Sequence, residues 1–318
     1  MARIIIGIHG LKNKPPRKYL RSVWKKSIQE GFRNQGYRHP FFRFEMAYWA
    51  GHLHSAPLDP GINDPDHPLY LNEPYCEGVH VKRNKPGRLE KKARDLLEKQ
   101  LDRIFLNDDL SINYSDITDR IIQRYFQDLD AYYSTACVDG GPKCLARDRI
   151  QDELVRVLLK NRRKRICLIT HSMGSIIAFD VLIRLEGQVE IDTMITAGSP
   201  LGIPAVISKI AALAPEGRYR DRICTPENIT RRWYNLSDMT DKVAINYNLR
   251  DDYHANSRKV RVRDKQVIND FYWEGRANPH KSYGYLRTPE MARILHTFLR
   301  HGKRVFWRIP FLPGGSIR

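Results

Sequence analysis

The amino-acid sequence predicts an α/β fold in which a mostly parallel sheet is covered by helices on both faces. Three observations carry that expectation. Short Ile- and Val-rich runs alternate with longer stretches of helical periodicity, the rhythm of βαβ units. The chain opens strand, helix, strand before residue 50. Its last helix carries both a start and a stop signal. At 318 residues the chain has the length of about two average domains, or of one α/β domain with an insertion.

Residues Arg3 to Ile8 are a short Ile-rich run closed by His9 and Gly10, the pattern of a fully buried strand. From Arg17 to Gly36 a basic, amphipathic stretch places Leu20, Val23, Trp24, Ile28 and Phe32 at helical spacing. Phe42, Phe44, Met46 and Tyr48 then alternate with other residues between Phe41 and Trp49, which predicts a second strand. The texture changes at residue 51. A loop rich in Pro, His and Asp is too punctuated for regular structure. Two amphipathic helical stretches follow it, near Arg88 to Phe105 and Ser115 to Tyr133. Residues 51–144 therefore read as a helical cap or lid inserted into a core made of residues 1–50 and 145–302.

The α/β rhythm then resumes. A helix near Asp148 to Leu159 leads to a strand from Arg165 to Thr170, and a strongly apolar helix runs from Gly174 to Leu185. Further strands are predicted at Ile191 to Thr196, Arg231 to Leu236 and Lys259 to Arg263. Thr288 caps the last helix and Pro289 occupies its first turn. Met291, Ile294, Leu295, Phe298 and Leu299 make its apolar stripe, and Gly302 ends it. Residues 303–318 form a basic, aromatic tail.

Composition excludes several classes. Hydrophobic residues at 42% and charged residues at 28% are close to globular averages, which argues against a disordered chain. No apolar run approaches ~18 residues, so no spanning helix is expected. The opening run is too short for a signal peptide, and the cytoplasm is the expected location. Five cysteines are too few and too scattered for a disulfide scaffold. Cys137 and Cys144, either side of a Gly-Gly-Pro turn, read as unrelated thiols rather than a metal pair. There is no phosphate-binding or dinucleotide-binding glycine motif, and no cofactor is expected.

The charge is the unusual quantity. Against 36 acidic residues stand 54 basic ones, a formal net charge of +18, which favours acidic partners. In the tail, Trp307 beside Arg308 suits the headgroup boundary of an anionic membrane. Packing of the same tail on the core or on a second subunit is the competing expectation. Asn161 to Arg165 and Arg258 to Arg263 are basic runs that precede or alternate along strands, so they read as solvated faces and not as a nucleic-acid site. His52, His54, Asp59, Asp64, Asp66 and His67 crowd one loop. Pro57, Pro60, Pro65 and Pro68 keep that loop extended, so it is expected to shape a substrate pocket rather than to bind a metal.

The segment that carries chemistry runs from Ile166 to Leu182. An apolar strand stops at Thr170-His171-Ser172-Met173-Gly174 and an apolar helix starts at once, the setting of a nucleophile elbow. Gly174, Ser175 and Ala178 are small enough to let that helix lie close to the sheet. The usual G-x-S-x-G pattern has Thr170 at its first position here, so a side chain must fit beneath the turn. His171, the strand neighbour of the serine, is expected to face away from the site. Taken with the later Asp241 and His280, these residues resemble the α/β-hydrolase superfamily, in particular its lipase- and esterase-like members. The resemblance covers roughly Arg3 to Trp49 and Asp148 to His301, and not the insertion.

That resemblance implies a triad in the chain order nucleophile, acid, histidine. Ser172 would be the nucleophile, Asp241 in Asp241-Lys242-Val243 the acid, and His280, in the loop before the last helix, the base. Asp238 is the rival for the acid. The oxyanion would be met by the N–H of Met173 and by a second donor at Gly10 or Leu11, where His9-Gly10 matches the HG motif of the superfamily. The segment Thr196 to Pro200 is expected as a loop near the site, and His296 as a structural residue. The implied activity is cleavage of carboxylic esters, lipid-like ones included, through an acyl-enzyme. Acyl transfer by the same triad, and a binding module retaining the shell of a hydrolase, are the competing readings.

Overall fold

The computed structural model describes residues 1–38, 41–78, 132–133, 142–214, 222–244 and 247–300. Six strands form one sheet: β1 (Arg3–Ile8), β2 (Phe44–Ala47), β3 (Arg165–His171), β4 (Ile191–Ala197), β5 (Ile229–Ser237) and β6 (Val262–Gln266). Their order is β2-β1-β3-β4-β5-β6, and every neighbouring pair is parallel. Parallel strands need crossovers. The helices that supply them are α1 (Arg17–Asn34), α2 (Pro142–Asn161), α3 (Gly174–Arg184) and α4 (Pro204–Leu213). Two more, α5 (Ser282–Arg287) and α6 (Pro289–Arg300), follow β6.

Period-two alternation sends the strand side chains into two cores. In β3, Ile166 and Leu168 point toward α2 and α3, while Cys167 and Ile169 point toward α1, α5 and α6. The five apolar residues that mark the helical spacing of α1 are all buried on that second face. Its Trp24 packs so closely over β1 that a Cβ at Gly7 would come within 2.9 Å of the indole. Helix α3 is buried along almost its whole length, which its apolar composition requires. A Cβ at Gly174 would stand 2.7 Å from the His9 carbonyl oxygen, so glycine is what lets α3 begin against β1. At the start of α6, the Met291 N–H donates to Thr288 Oγ1 at 3.2 Å, the capping bond expected of that threonine.

Two sequence expectations shift. The last strand is Val262–Gln266 rather than Lys259 to Arg263, because a turn occupies the start of the predicted run. Lys259 has a φ of 60°, its N–H bonds the Asn256 carbonyl, and the Asn256 N–H bonds that of Val260. Helix α2 begins at Pro142, so the boundary drawn between residues 144 and 145 falls inside a helix. The predicted helices near 88–105 and 115–133, apart from Tyr132 and Tyr133, lie outside the described residues, as do Cys137 and the 303–318 tail. Among the described residues no helix is long and apolar enough to cross a membrane.

The strand order reverses beside β1. The chain moves from β1 outward to β2, then returns to the other side of β1 as β3. In an open parallel sheet, that reversal leaves a crevice at the carboxyl ends of the two diverging strands. His9-Gly10 leaves β1 and Ser172 leaves β3 at that crevice.

Candidate active site

Ser172 sits in the sharp turn between β3 and α3. Its φ is 54°, in the left-handed region that costs a residue with a Cβ on the order of 1–3 kcal/mol. Packing enforces the conformation. The Ser172 N–H donates to the Ala197 carbonyl at 3.1 Å, and a Cβ at Gly10 would lie 2.5 Å from the Ser172 Cβ. The Thr170 side chain is accommodated beneath the turn, fully buried, with its hydroxyl 3.4 Å from the Ile195 carbonyl oxygen.

Three loops from the carboxyl edge of the sheet meet at this serine. The Ser172 Oγ is 3.0 Å from His280 Nε2. The other ring nitrogen, Nδ1, lies 2.9 and 3.0 Å from the two carboxylate oxygens of Asp241. Asp241 is wholly buried, whereas the His280 side chain keeps 29% exposure. A buried carboxylate needs compensation. Besides His280, the Tyr285 hydroxyl donates to Asp241 Oδ2 at 2.7 Å and the Val243 N–H to Oδ1 at 2.9 Å. Burial and the neighbouring Asp241 charge both push the Tyr285 phenol well above its ordinary range, so it stays a proton donor. Gly198, with a φ of 54°, completes the floor: a Cβ there would stand 2.9 Å from Asp241 Oδ2. The Thr196 to Pro200 segment is thus part of the end of β4 and of the site wall.

Asp238 has a different task. Its Oδ1 accepts from the N–H and hydroxyl of Thr240, and its Oδ2 from the Asn269 N–H at 2.7 Å. Those bonds shape the loop after β5 and join it to the segment after β6. The Asp238 N–H donates to the Tyr285 oxygen at 3.0 Å, so Asp238 supports the group that supports Asp241.

Two peptide N–H groups lie near the serine in the chain or in the packing: that of Met173, which follows it, and that of Leu11, which follows the Gly10 packed on the Ser172 Cβ. Those of Leu11 and Met173 donate to no carbonyl or side chain among the described residues. Each is aimed by the carbonyl on its own peptide, since N–H and C=O of a trans peptide point in opposite directions. The Gly10 carbonyl is held at 2.9 Å by His9 Nδ1, and the Ser172 carbonyl at 2.5 Å by the Ser175 hydroxyl. His9 Nε2 accepts from the Trp49 N–H at 3.1 Å, which fixes the tautomer with the proton on Nδ1. Burial, helped by the nearby Lys14 ammonium, brings the His9 pKa down to about 3, so the ring is neutral.

His171 corrects an expectation. It does not face away: it lines the cavity above Ser172, and its Nε2 lies 2.7 Å from the His280 carbonyl oxygen. The two imidazole rings are 4.9 Å apart. The sharp turn at Ser172 lets consecutive side chains share one edge of the sheet, which regular strand alternation forbids. Burial, then the neighbouring His280, drives the His171 pKa well below its usual value. His296 stacks on Tyr37 at 4.0 Å, remote from these groups in the packing of α6.

The cavity holds about 500 Å³. Leu58 and Tyr70 come to it from the proline-rich loop, which therefore does shape the pocket. Among the described residues no group of His, Cys, Asp and Glu side chains is arranged to hold a metal ion. Cys76, Cys167 and Cys224 are free thiols. Sequence reasoning missed His9, Ser175 and Tyr285 as supports. Only His9 carried a signal, its place in the HG motif.

Chemically, the arrangement joins a hydroxyl to an imidazole that can take its proton, and a buried carboxylate that favours the resulting imidazolium. No family model matches the chain, and no curated protein matches its sequence.

Proposed function

We propose that the protein is a serine hydrolase of the α/β-hydrolase superfamily that cleaves carboxylic esters. The observation that carries this reading is the relay from Ser172 Oγ through His280 to Asp241, with the Leu11 and Met173 N–H groups near the serine having no acceptor among the described residues. Its parallel strand order and the chain order Ser172, Asp241, His280 support the same superfamily.

In this mechanism Ser172 Oγ attacks the acyl carbon while its proton passes to His280 Nε2. The carbonyl oxygen becomes an oxyanion between the N–H groups of Leu11 and Met173. Two such donors, fixed before reaction, are each worth about 3 kcal/mol by analogy with other hydrolases. The C–O bond to the alcohol then breaks, and His280 returns the proton to the leaving oxygen. Water attacks the acyl-enzyme, gives a proton to His280, and the acid departs as Ser172 regains its hydrogen. Asp241 holds the imidazole with Nδ1–H toward it.

The test is covalent labelling with a fluorophosphonate probe. The unmodified protein is expected to take up one probe per chain, and Ser172→Ala none. Stoichiometric labelling that survives the substitution overturns the reading.

A further inference from the structure

The amino ends of the parallel strands form a second edge of the sheet, opposite the one that carries Ser172. A groove of about 560 Å³ lies there, at the starts of β3, β4 and β5. Its charged lining among the described residues is Arg162, Lys164, Arg165 and Arg231 against Glu190 and Asp192. Three of these cations come from the short basic run between α2 and β3, where the Lys164 N–H bonds the Asn161 carbonyl at 2.8 Å and turns the chain. Both carboxylates are engaged. Asp192 Oδ2 accepts from Arg165 at 2.6 Å, its Oδ1 accepts from the Thr193 hydroxyl at 2.9 Å, and Arg231 stands 3.7 Å away. Glu190 meets Arg258 at 3.2 Å. Lys164 Nζ donates to Asn161 Oδ1, a group without charge, and no described residue bonds the Arg162 guanidinium.

A further guanidinium stands close by. Arg3 lies opposite Arg165 in the pairing of β1 with β3. One of its nitrogens donates to the Leu299 carbonyl at 2.7 Å, and its Nε is buried without a partner among the described residues. Cations gathered round a concave surface focus their field into it and concentrate anions there. The planar fork of a guanidinium also matches two oxygens of one phosphate, while an ammonium adds a point charge. We propose that this groove binds a phosphate group, held by Arg162, Lys164 and Arg231 and separate from the Ser172 cavity. Inorganic phosphate and a phospholipid headgroup present the same oxygens to it. The site owes nothing to the hydrolase reading, because none of its residues belongs to the relay.

Binding to the full-length protein at low salt tests this, with ester turnover playing no part. In one arm inorganic phosphate is titrated by calorimetry. In the other, vesicles of phosphatidylcholine with and without phosphatidic acid are sedimented with the protein. Binding of inorganic phosphate identifies a free phosphate as the ligand, and binding to phosphatidic acid vesicles alone identifies a headgroup. In the arm that binds, Arg162→Gln combined with Lys164→Gln should weaken binding about 10-fold or more, the scale of lost hydrogen bonds to a charged group. Arg231→Gln, made separately, should weaken it about three-fold. Lys26→Gln combined with Arg149→Gln removes the same charge from exposed side chains outside the groove and should change binding by less than about two-fold. Ser172→Ala should bind as the unmodified protein does. Equal weakening by the two double substitutions reduces the effect to net charge and overturns the site, as does absence of binding in both arms.

Discussion

The protein buries two clusters of charged side chains close together, and they behave differently. One is the Asp241, His280 and Ser172 relay with Tyr285 beneath it. The other gathers around Arg287, two residues beyond Tyr285, where the guanidinium has 1% exposure. Arg287 Nε donates to Asp270 at 2.6 Å, and a second nitrogen reaches Glu30 at 3.5 Å and the Cys76 carbonyl at 2.7 Å. Glu30 in turn accepts from the Tyr75 hydroxyl and the Gly78 N–H. This second cluster clamps residues 75–78 onto α1 and α5. Its ions face one another, Asp270 keeps 26% exposure, and a Cβ at Gly78 would strike Asp270 and Arg287. The relay is open at one end, where His280 meets the cavity. Buried charge alone does not distinguish the two clusters; what does is that the first ends on a residue at positive φ beside a cavity.

Substitutions should separate the two clusters cleanly. The largest effect belongs to the relay: Asp241→Asn is expected to cut kcat about ten-thousand-fold by loss of the correct histidine tautomer. Asp238→Asn should cost far less kcat and show up instead as a lower urea midpoint. Comparable kcat losses for the two would break the distinction between them. Next comes the clamp. Arg287→Met strands Glu30 and Asp270 and should cost about 3–5 kcal/mol in urea unfolding, with fluorophosphonate labelling of the folded protein retained. Lost labelling at unchanged stability would make the clamp part of the site.

Acid should then expose the histidine-rich edge. His171 is neutral when folded and takes a proton near pH 6.5 when unfolded, so the unfolded chain binds more protons below that pH. Stability therefore falls as pH drops below 6.5, by about 1.4 kcal/mol per unit for this group. His9 adds a similar slope down to about pH 3. His171→Asn should flatten the dependence between pH 6.5 and 5 in urea titrations; an unchanged slope would remove His171 from this account. The smallest effect is Tyr285→Phe, which takes one donor from Asp241. It should lower kcat about 10-fold with KM unchanged. A change in KM alone would reassign Tyr285 to substrate binding.

The sequence made most of the core legible because its strands are short, apolar and regularly interleaved with helices. Ser172, Asp241 and His280 were legible through their order and their places at element ends. What escaped was set by tertiary contact. Helix α4 went unseen although Pro204 sits at its start, the usual position for proline in a first turn. The strand β6 was misplaced because alternation in Val260 and Val262 continues across a turn that only the Asn256 contacts define. The orientation of His171 depended on a left-handed residue next to it, and that conformation leaves no mark in the identity of a serine. Tyr285 and Ser175 support the site through their hydroxyls, for which composition gives no signal.

The β2-β1-β3-β4-β5-β6 order also has a consequence for how the protein is made. The candidate oxyanion donor comes from the turn after the first strand, the serine from mid-chain, the carboxylate from the loop after β5, and the histidine from beyond β6. On a ribosome the early strands emerge with their carboxyl edge exposed and the serine without its base. No fragment that ends before residue 280 can hold the full relay, and none lacking α5 can hold Asp241 against Tyr285. On the proposed hydrolase reading, reactivity toward esters would thus appear late in synthesis, timed by docking of the sheet's last edge, while the half-made chain is still being threaded together.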